Sequence, residues 1–118
     1  MNSRILLVDD DPLYIDLVQE ILVTRKYSVI AAADGAAALA LLRKHRVAMI
    51  ISDIDMPGMD GLTFHAQVIR EDHLSATPFV FLTGSMDTRV AAYARLNNIR
   101  LLSKSNLVGG LLALLPPC

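Results

Sequence analysis

Cysteine is almost missing from this chain: its single cysteine, Cys118, is the last residue. That excludes a disulfide framework, a CxxC redox motif and a thiolate metal site, and a terminal thiol without a fixed electropositive setting is not expected to react. A basic excess is missing as well. The 11 Lys and Arg residues are balanced by 12 Asp and Glu, for a net charge of -1, whereas a surface that tracks phosphate backbones would show a basic surplus. Nucleic acid is therefore not an expected partner. Long apolar runs are also absent. The longest, Leu107 to Leu115, is well short of the roughly 20 residues needed to span a bilayer. The run near the start, Ile5 to Val8, is too short for the apolar core of a signal peptide. The expectation is a soluble, cytoplasmic protein with no membrane partner. GxGxxG and P-loop motifs are lacking, which removes dinucleotide and NTP binding as defaults. His45, His65 and His73 fall at no ligand spacing and read as surface or partly exposed side chains.

What is present is a core. With 118 residues, 53% of them hydrophobic and 19% charged, the chain is expected to form one domain, 1–118, large enough to fold without staples. No repeat, low-complexity tract or linker suggests a boundary. Short apolar runs alternate with helix-period segments. Strands are expected at Ile5 to Val8, Ser28 to Ala32, Val47 to Ser52, Phe79 to Leu82 and Leu101 to Ser103. The first helix starts at Pro12 and carries Leu13, Leu17, Val18, Ile21 and Leu22 at three- and four-residue intervals. Further helices are expected at Gly35 to His45, with Leu39 and Leu42 in the core, at Leu62 to Arg70, at Thr88 to Leu96 capped by Asp87 or Ser85, and at Leu107 to Leu115, halted by Pro116 and Pro117. Strands each followed by a helix need crossover connections, so the fold class is α/β: a doubly wound, five-stranded parallel sheet flanked by five helices.

On that frame the polar residues gather at the carboxyl ends of the strands. Asp9, Asp10 and Asp11 follow the first strand, Asp53 and Asp55 the third, Thr83 and Gly84 the fourth, and Lys104 the fifth. In an open α/β sheet these ends share the edge where ligands bind. Carboxylates held together repel unless a cation or protons join them. An all-oxygen set suits Mg2+, whose remaining sites are usually filled by water and phosphate oxygens. Lys104 would neutralise a phosphoryl group, Thr83 would donate to it, and one carboxylate could act as nucleophile to form an acyl phosphate. Asp11, directly before Pro12, reads instead as the cap of the first helix, facing solvent.

VDDD at Val8 to Asp11, DIDMPGMDG at Asp53 to Gly61, LTG at Leu82 to Gly84 and SK at Ser103 to Lys104 together resemble the receiver domain of two-component response regulators, in order and over essentially the whole chain. The resemblance implies a flavodoxin-like fold with strand order 2-1-3-4-5. It also implies a phosphoryl group accepted on Asp53 from a histidine kinase or histidine phosphotransfer protein, with Mg2+ as cofactor and no turnover on a small molecule. By the same resemblance, Asp9 and Asp10 are the acidic pair that holds the metal together with Asp53, and Asp55 lends it a backbone carbonyl. Thr83 is the conformational hydroxyl and Lys104 the phosphate contact. Met56, Pro57 and Gly58, with Asp60 and Gly61, form the turn into the third helix.

Two positions depart from the family pattern. Leu101 stands where an aromatic residue usually couples to the threonine, and Ser105 follows the lysine where proline is usual. A cis bond to a non-proline costs about 2.5–4 kcal/mol, so a trans bond or an altered loop is expected after Lys104. These departures favour, as an alternative, a degenerate receiver serving as an interaction module or phosphate sink. A second alternative, a haloacid-dehalogenase-like phosphohydrolase, shares the DxD of Asp53 and Asp55 but needs a lysine and an acidic pair farther downstream, whereas here the acidic cluster lies upstream and only Glu71, Asp72 and Asp87 follow Asp60, without a paired strand-end motif. With the aromatic absent, output is expected through the fourth helix, fifth strand and fifth helix. There Tyr93, Leu101 and surplus leucines of the last helix would meet an effector or a second copy in a homodimer. The apolar surface of the last helix has an equally good reading as core, and Gly109 and Gly110 weaken its first turn.

Overall fold

The computed structural model describes residues 3–84 and 87–116. Cys118, Pro117 and Ser85, each used above, lie outside the described residues. Five parallel strands, β1 (Arg4–Val8), β2 (Ser28–Ala32), β3 (Met49–Asp53), β4 (Phe79–Thr83) and β5 (Arg100–Ser103), form one sheet in the order β2-β1-β3-β4-β5. They alternate with α1 (Pro12–Thr24), α2 (Gly35–Leu42), α3 (Gly61–Val68), α4 (Thr88–Leu96) and α5 (Leu107–Leu114), the last preceded by a 3-10 turn at Lys104–Asn106. The expected doubly wound α/β architecture and strand order are therefore found.

Period-two alternation divides the core. Leu6, Val8, Ile50, Phe79 and Phe81 point to one face, where Leu42 of α2, Phe64 and Val68 of α3 and Val90 and Ala94 of α4 cover them. Ile5, Leu7, Ile51, Val80 and Leu82 point to the other, under Val18 and Leu22 of α1 and Leu107 and Leu111 of α5. Central strands covered on both sides read as continuous apolar runs, which explains the composition of β1, β3 and β4.

The helices start on a shared device. Asp11, Asp34, Asp60 and Asp87 are the N-caps of α1 to α4, and each carboxylate accepts a backbone N–H of the first turn. Asp87 is thus the cap of α4, and Asp11 caps α1 as expected. Boundaries shift modestly. α2 stops at Leu42 rather than His45, and β3 starts at Met49 rather than Val47. α5 stops at Leu114 because Leu115, which precedes Pro116, is extended.

Burial corrects three expectations. Leu13 and Leu17, counted on the apolar stripe of α1, are exposed; the helix turns Val18 and Leu22 to the sheet, with Tyr14, Ile15 and Ile21 packed at the margin, and at 100° per residue positions 13 and 17 fall on the opposite side. His65, read as a surface or partly exposed side chain, is only 4% exposed. It lies on the inward side of α3, its ring edge-on to Phe79 with centroids 4.9 Å apart. Leu39 packs only partly buried against the core that encloses Leu42. The leucines of α5 are largely core: Leu107 and Leu111 are buried, Leu114 and Leu115 pack beside them, and Val108 is exposed. Gly110 lets this helix lie close against the sheet, since a Cβ there would strike the Leu102 side chain.

Candidate functional site at the carboxyl edge of the sheet

Parallel register decides which side chains meet. Val8 is opposite Ser52, Asp53 opposite Leu82, and Thr83 opposite Ser103. The residues that follow β1 and β5, Asp9 and Lys104, therefore emerge beside the end of β3, with Thr83 one step further along β4. Asp9, Asp10 and Asp53 each place a carboxylate oxygen within 4.8 Å of the other two. Lys104 Nζ lies 3.1 Å from Asp9 Oδ2 and 3.5 Å from Asp53 Oδ2.

The two buried carboxylates, Asp9 and Asp53, are each held by one oxygen. Asp53 Oδ1 accepts the Ile54 N–H at 2.8 Å, and Asp9 Oδ1 accepts the Asp11 N–H at 2.9 Å. The remaining oxygens, both Oδ2, turn toward Lys104. Asp9 and Asp53 are buried and Asp10 is exposed. Burial, reinforced by the negative charge of Asp9, pushes the Asp53 pKa up to about 6 against the opposing pull of Lys104. Burial also works against the Lys104 ammonium, but Asp53 and Asp9 outweigh it and the net shift is upward. The lysine therefore stays charged while Asp53 sits near the edge of ionisation.

Asp9 Oδ2 is a buried oxygen whose partner is the Lys104 ammonium and which accepts no well-aligned hydrogen bond. A buried anionic oxygen short of donors, within reach of two other carboxylates, fits a hard divalent cation of the Mg2+ type better than it fits a purely structural ion pair. Thr83 is buried at the end of β4, and a Cβ on the neighbouring Gly84 would lie 4.0 Å from Lys104 Cδ, so that loop borders the lysine stem. The Asp55 side chain is exposed and lies outside the carboxylate group; the expectation for that residue concerned its carbonyl. After Lys104 there is no cis peptide among the described residues. Instead a 3-10 turn forms, with Ser103 Oγ accepting the Ser105 N–H at 3.2 Å and 2.7 Å from Ser105 Oγ.

One neighbour was not anticipated. Lys104 Nζ sits 4.2 Å from the centroid of the Tyr14 ring. The available signal was an aromatic residue one turn into the helix that starts at the acidic cluster. Two surface grooves, about 440 and 580 Å3, lie at the opposite edge of the sheet and contain none of these residues.

The model of the response regulator receiver domain matches residues 5–114. The chain belongs to this family. The DNA-binding response regulator MtrA of Mycolicibacterium smegmatis is 35% identical over 88 residues, covering 75% of this chain and 37% of that protein. The transcriptional regulatory protein GlrR of Escherichia coli is 37% identical over 92 residues, 76% of this chain and 20% of that protein. This receiver thus spans well under half the length of either relative. Among solved structures, the chemotaxis protein CheY4 of Vibrio cholerae superposes with a TM-score of 0.86 at 30% identity, covering 98% of this chain and all of that one. The Mn2+-bound form of the response regulator Rcp1 gives 0.81 at 29% identity, covering 94% of this chain and 87% of that one. No helix among the described residues of this receiver is long and apolar enough to cross a membrane.

Proposed function

We propose that residues 1–118 act as one phosphoacceptor unit in which Asp53 receives a phosphoryl group, in the cytoplasm, from a histidine kinase or a histidine phosphotransfer protein. The observation that carries this reading is the Lys104 ammonium bridging Asp9 Oδ2 and Asp53 Oδ2 at the shared edge of β1, β3 and β5. With Oδ1 engaged by the Ile54 N–H, Asp53 presents Oδ2 as the attacking atom. A new O–P bond forms, the donor's N–P bond breaks, and the imidazole nitrogen keeps the electron pair. Lys104 moves from the carboxylates to an oxygen of the transferred group, and Thr83 offers its hydroxyl to another.

Asp9, Asp10 and Asp53, with the backbone carbonyl of Asp55, are the ligands that would hold Mg2+. When bound, the ion neutralises charge on the phosphoryl oxygens. The remaining chemistry is the chain's own: Ile54 orients the nucleophile, Asp9 keeps the lysine at the site, and burial limits water.

Output through α4, β5 and α5, to an effector or a second copy of the chain, is supported by the exposed apolar side chains of Leu96 on α4 and Val108 on α5. Leu101 packs partly buried beside the α4 cluster rather than presenting an aromatic ring, so coupling to α4 falls to the loop after Thr83. The test is a mass measurement after treatment with phosphoramidate and Mg2+. One acid-stable, base-labile phosphoryl group is expected on the wild type and none on Asp53→Asn. Undiminished labelling of the variant overturns the assignment, and repeated turnover of a phosphomonoester would point to a phosphohydrolase instead.

A further inference from the structure

Lys104 occupies a three-sided cage. Two sides are the carboxylates of Asp9 and Asp53, at 3.1 and 3.5 Å, and the third is the face of the Tyr14 ring, 4.2 Å from Nζ to centroid. Phosphoryl transfer requires this lysine to leave one set of partners for another. An ammonium on four rotatable bonds that loses a carboxylate has many places to go, most of them in water.

The backbone on the lysine side gives limited guidance. Lys104 opens a 3-10 turn of three residues closed by short contacts between Ser103 and Ser105, and it lies at the outer end of the edge strand β5. Tyr14 is better anchored. It stands in the first turn of α1, behind the Asp11 cap and Pro12, and packs against the core cluster that contains Val18, Leu22 and Leu107. An aromatic face attracts a cation without consuming its N–H donors, so it can hold the ammonium throughout a change of hydrogen-bond partners.

We propose that Tyr14 is a positioning residue for phosphoryl transfer: its ring is the fixed wall against which Lys104 swings from Asp9 and Asp53 to the incoming phosphoryl oxygens. This deepens the assignment of Asp53 and rests on it. The hydroxyl of Tyr14 is not required, whereas the aromatic face is. A leucine of similar reach keeps apolar packing on α1 and removes the attraction.

The experiment compares wild type, Tyr14→Phe and Tyr14→Leu for the rate of phosphorylation by phosphoramidate with Mg2+, each also in a Lys104→Met background. Tyr14→Leu is expected to slow labelling by about three- to tenfold, the range of a partly desolvated cation–aromatic contact, and Tyr14→Phe to restore most of the rate. With Lys104→Met, the Tyr14 substitutions should have no further effect, because the residue acts through the lysine. Equal rates for Leu and Phe, or an undiminished Leu effect in the Lys104→Met background, overturn the proposal. Thermal midpoints of the same proteins separate a packing defect, which would follow size rather than aromaticity. Ring-current shifts of the Lys104 ε-protons in the metal-free protein test the contact without phosphorylation. They are expected in wild type and Tyr14→Phe and lost in Tyr14→Leu, and their absence in wild type overturns the proposal. Shifts as expected in a wild type that takes up no phosphoryl group locate the failure in the Asp53 assignment and remove the proposed role with it.

Discussion

His65 Nδ1 lies 2.8 Å from Tyr93 Oη, joining α3 to α4 through a pair that sequence periodicity does not reveal. The phenol is also 3.3 Å from the Leu62 carbonyl, and the imidazole packs edge-on to Phe79, Phe81 and the Tyr93 ring. Tyr93→Phe keeps the ring contacts and leaves the imidazole nitrogen without its partner. The expected loss is about 1–2 kcal/mol of stability in urea unfolding, with phosphorylation of Asp53 unaffected. Equal stability of the two proteins would mean that the pair is not formed in solution.

The same histidine gives a pH dependence of known sign. Burial holds its pKa below the ordinary 6.5, so the folded protein binds a proton less readily than the unfolded chain. Its contribution is fully present above pH 6.5 and is lost as pH falls through that value toward the lowered one. Asp60 bears on Tyr93 rather than on the ring itself. Comparing wild type with His65→Gln at about pH 8 and pH 5.5 isolates this contribution from other titrations. The stability gap should narrow at the lower pH, and a gap that widens on acidification is the contrary result.

Asp53 behaves in the opposite sense in the metal-free protein. Its pKa rises from 3.8 to about 6 on folding, so between those values the folded state binds more protons and stability falls as pH rises. At neutral pH the ionised carboxylate is a cost, and Asp53→Asn should stabilise the apo protein by about 1–2 kcal/mol after allowance for local relaxation. That gain should shrink to nothing near pH 4. A variant less stable than wild type at neutral pH would show that the Lys104 pairing outweighs burial.

Much of this is legible in the sequence, for physical reasons that can be named. Strands buried on both faces must be apolar throughout, which made β1, β3 and β4 conspicuous, and the strand-end carboxylates stood out against them. The convergence of Asp9, Asp53 and Lys104 followed from parallel register. What stayed hidden depended on helix rotation and on contacts between distant elements. Leu13 and Leu17 share a period with Val18 and Leu22, and only the docking of α1 decides which face turns inward. His65 looked like a surface residue because its partners, Phe79, Phe81 and Tyr93, come from β4 and α4. Tyr14 carries no motif of its own because its role depends on where the Lys104 side chain ends.

Gly61 and Gly58 offer a contrast within one loop. A Cβ at Gly61 would lie 2.8 Å from Ile54 Cα and closer still to the Asp53 carbonyl oxygen, backbone that cannot yield cheaply. Gly61→Ala should cost about 1–3 kcal/mol, and by displacing the segment whose N–H holds Asp53 Oδ1 it should also slow phosphorylation. At Gly58 there is open space but a positive φ of 79°. Gly58→Ala should cost about 1–2 kcal/mol of backbone strain and leave the labelling rate unchanged. Equal effects on rate would separate the nucleophile's orientation from the Gly61 contact.

The acidic pair should divide its labour by burial. Asp10 is exposed and forms no ion pair among the described residues, whereas Asp9 is buried against Lys104. Asp10→Asn should therefore lower Mg2+ affinity by at least about tenfold, the loss of one direct carboxylate, while the apo protein unfolds at the same or slightly higher temperature. Asp9→Asn should reduce affinity as well, but with an effect on the site itself. The amide can still accept the Asp11 N–H, yet removing the charge that helps raise the Asp53 pKa should bring that pKa down. Lys104 is then left to Asp53 alone. Magnesium-induced shifts in thermal midpoint give the affinities, since a ligand that binds only the folded state stabilises it by mass action. A carboxyl titration by NMR gives the Asp53 pKa in each variant. An Asp53 titration unmoved by Asp9→Asn, or a magnesium response intact in Asp10→Asn, would contradict the arrangement of the site.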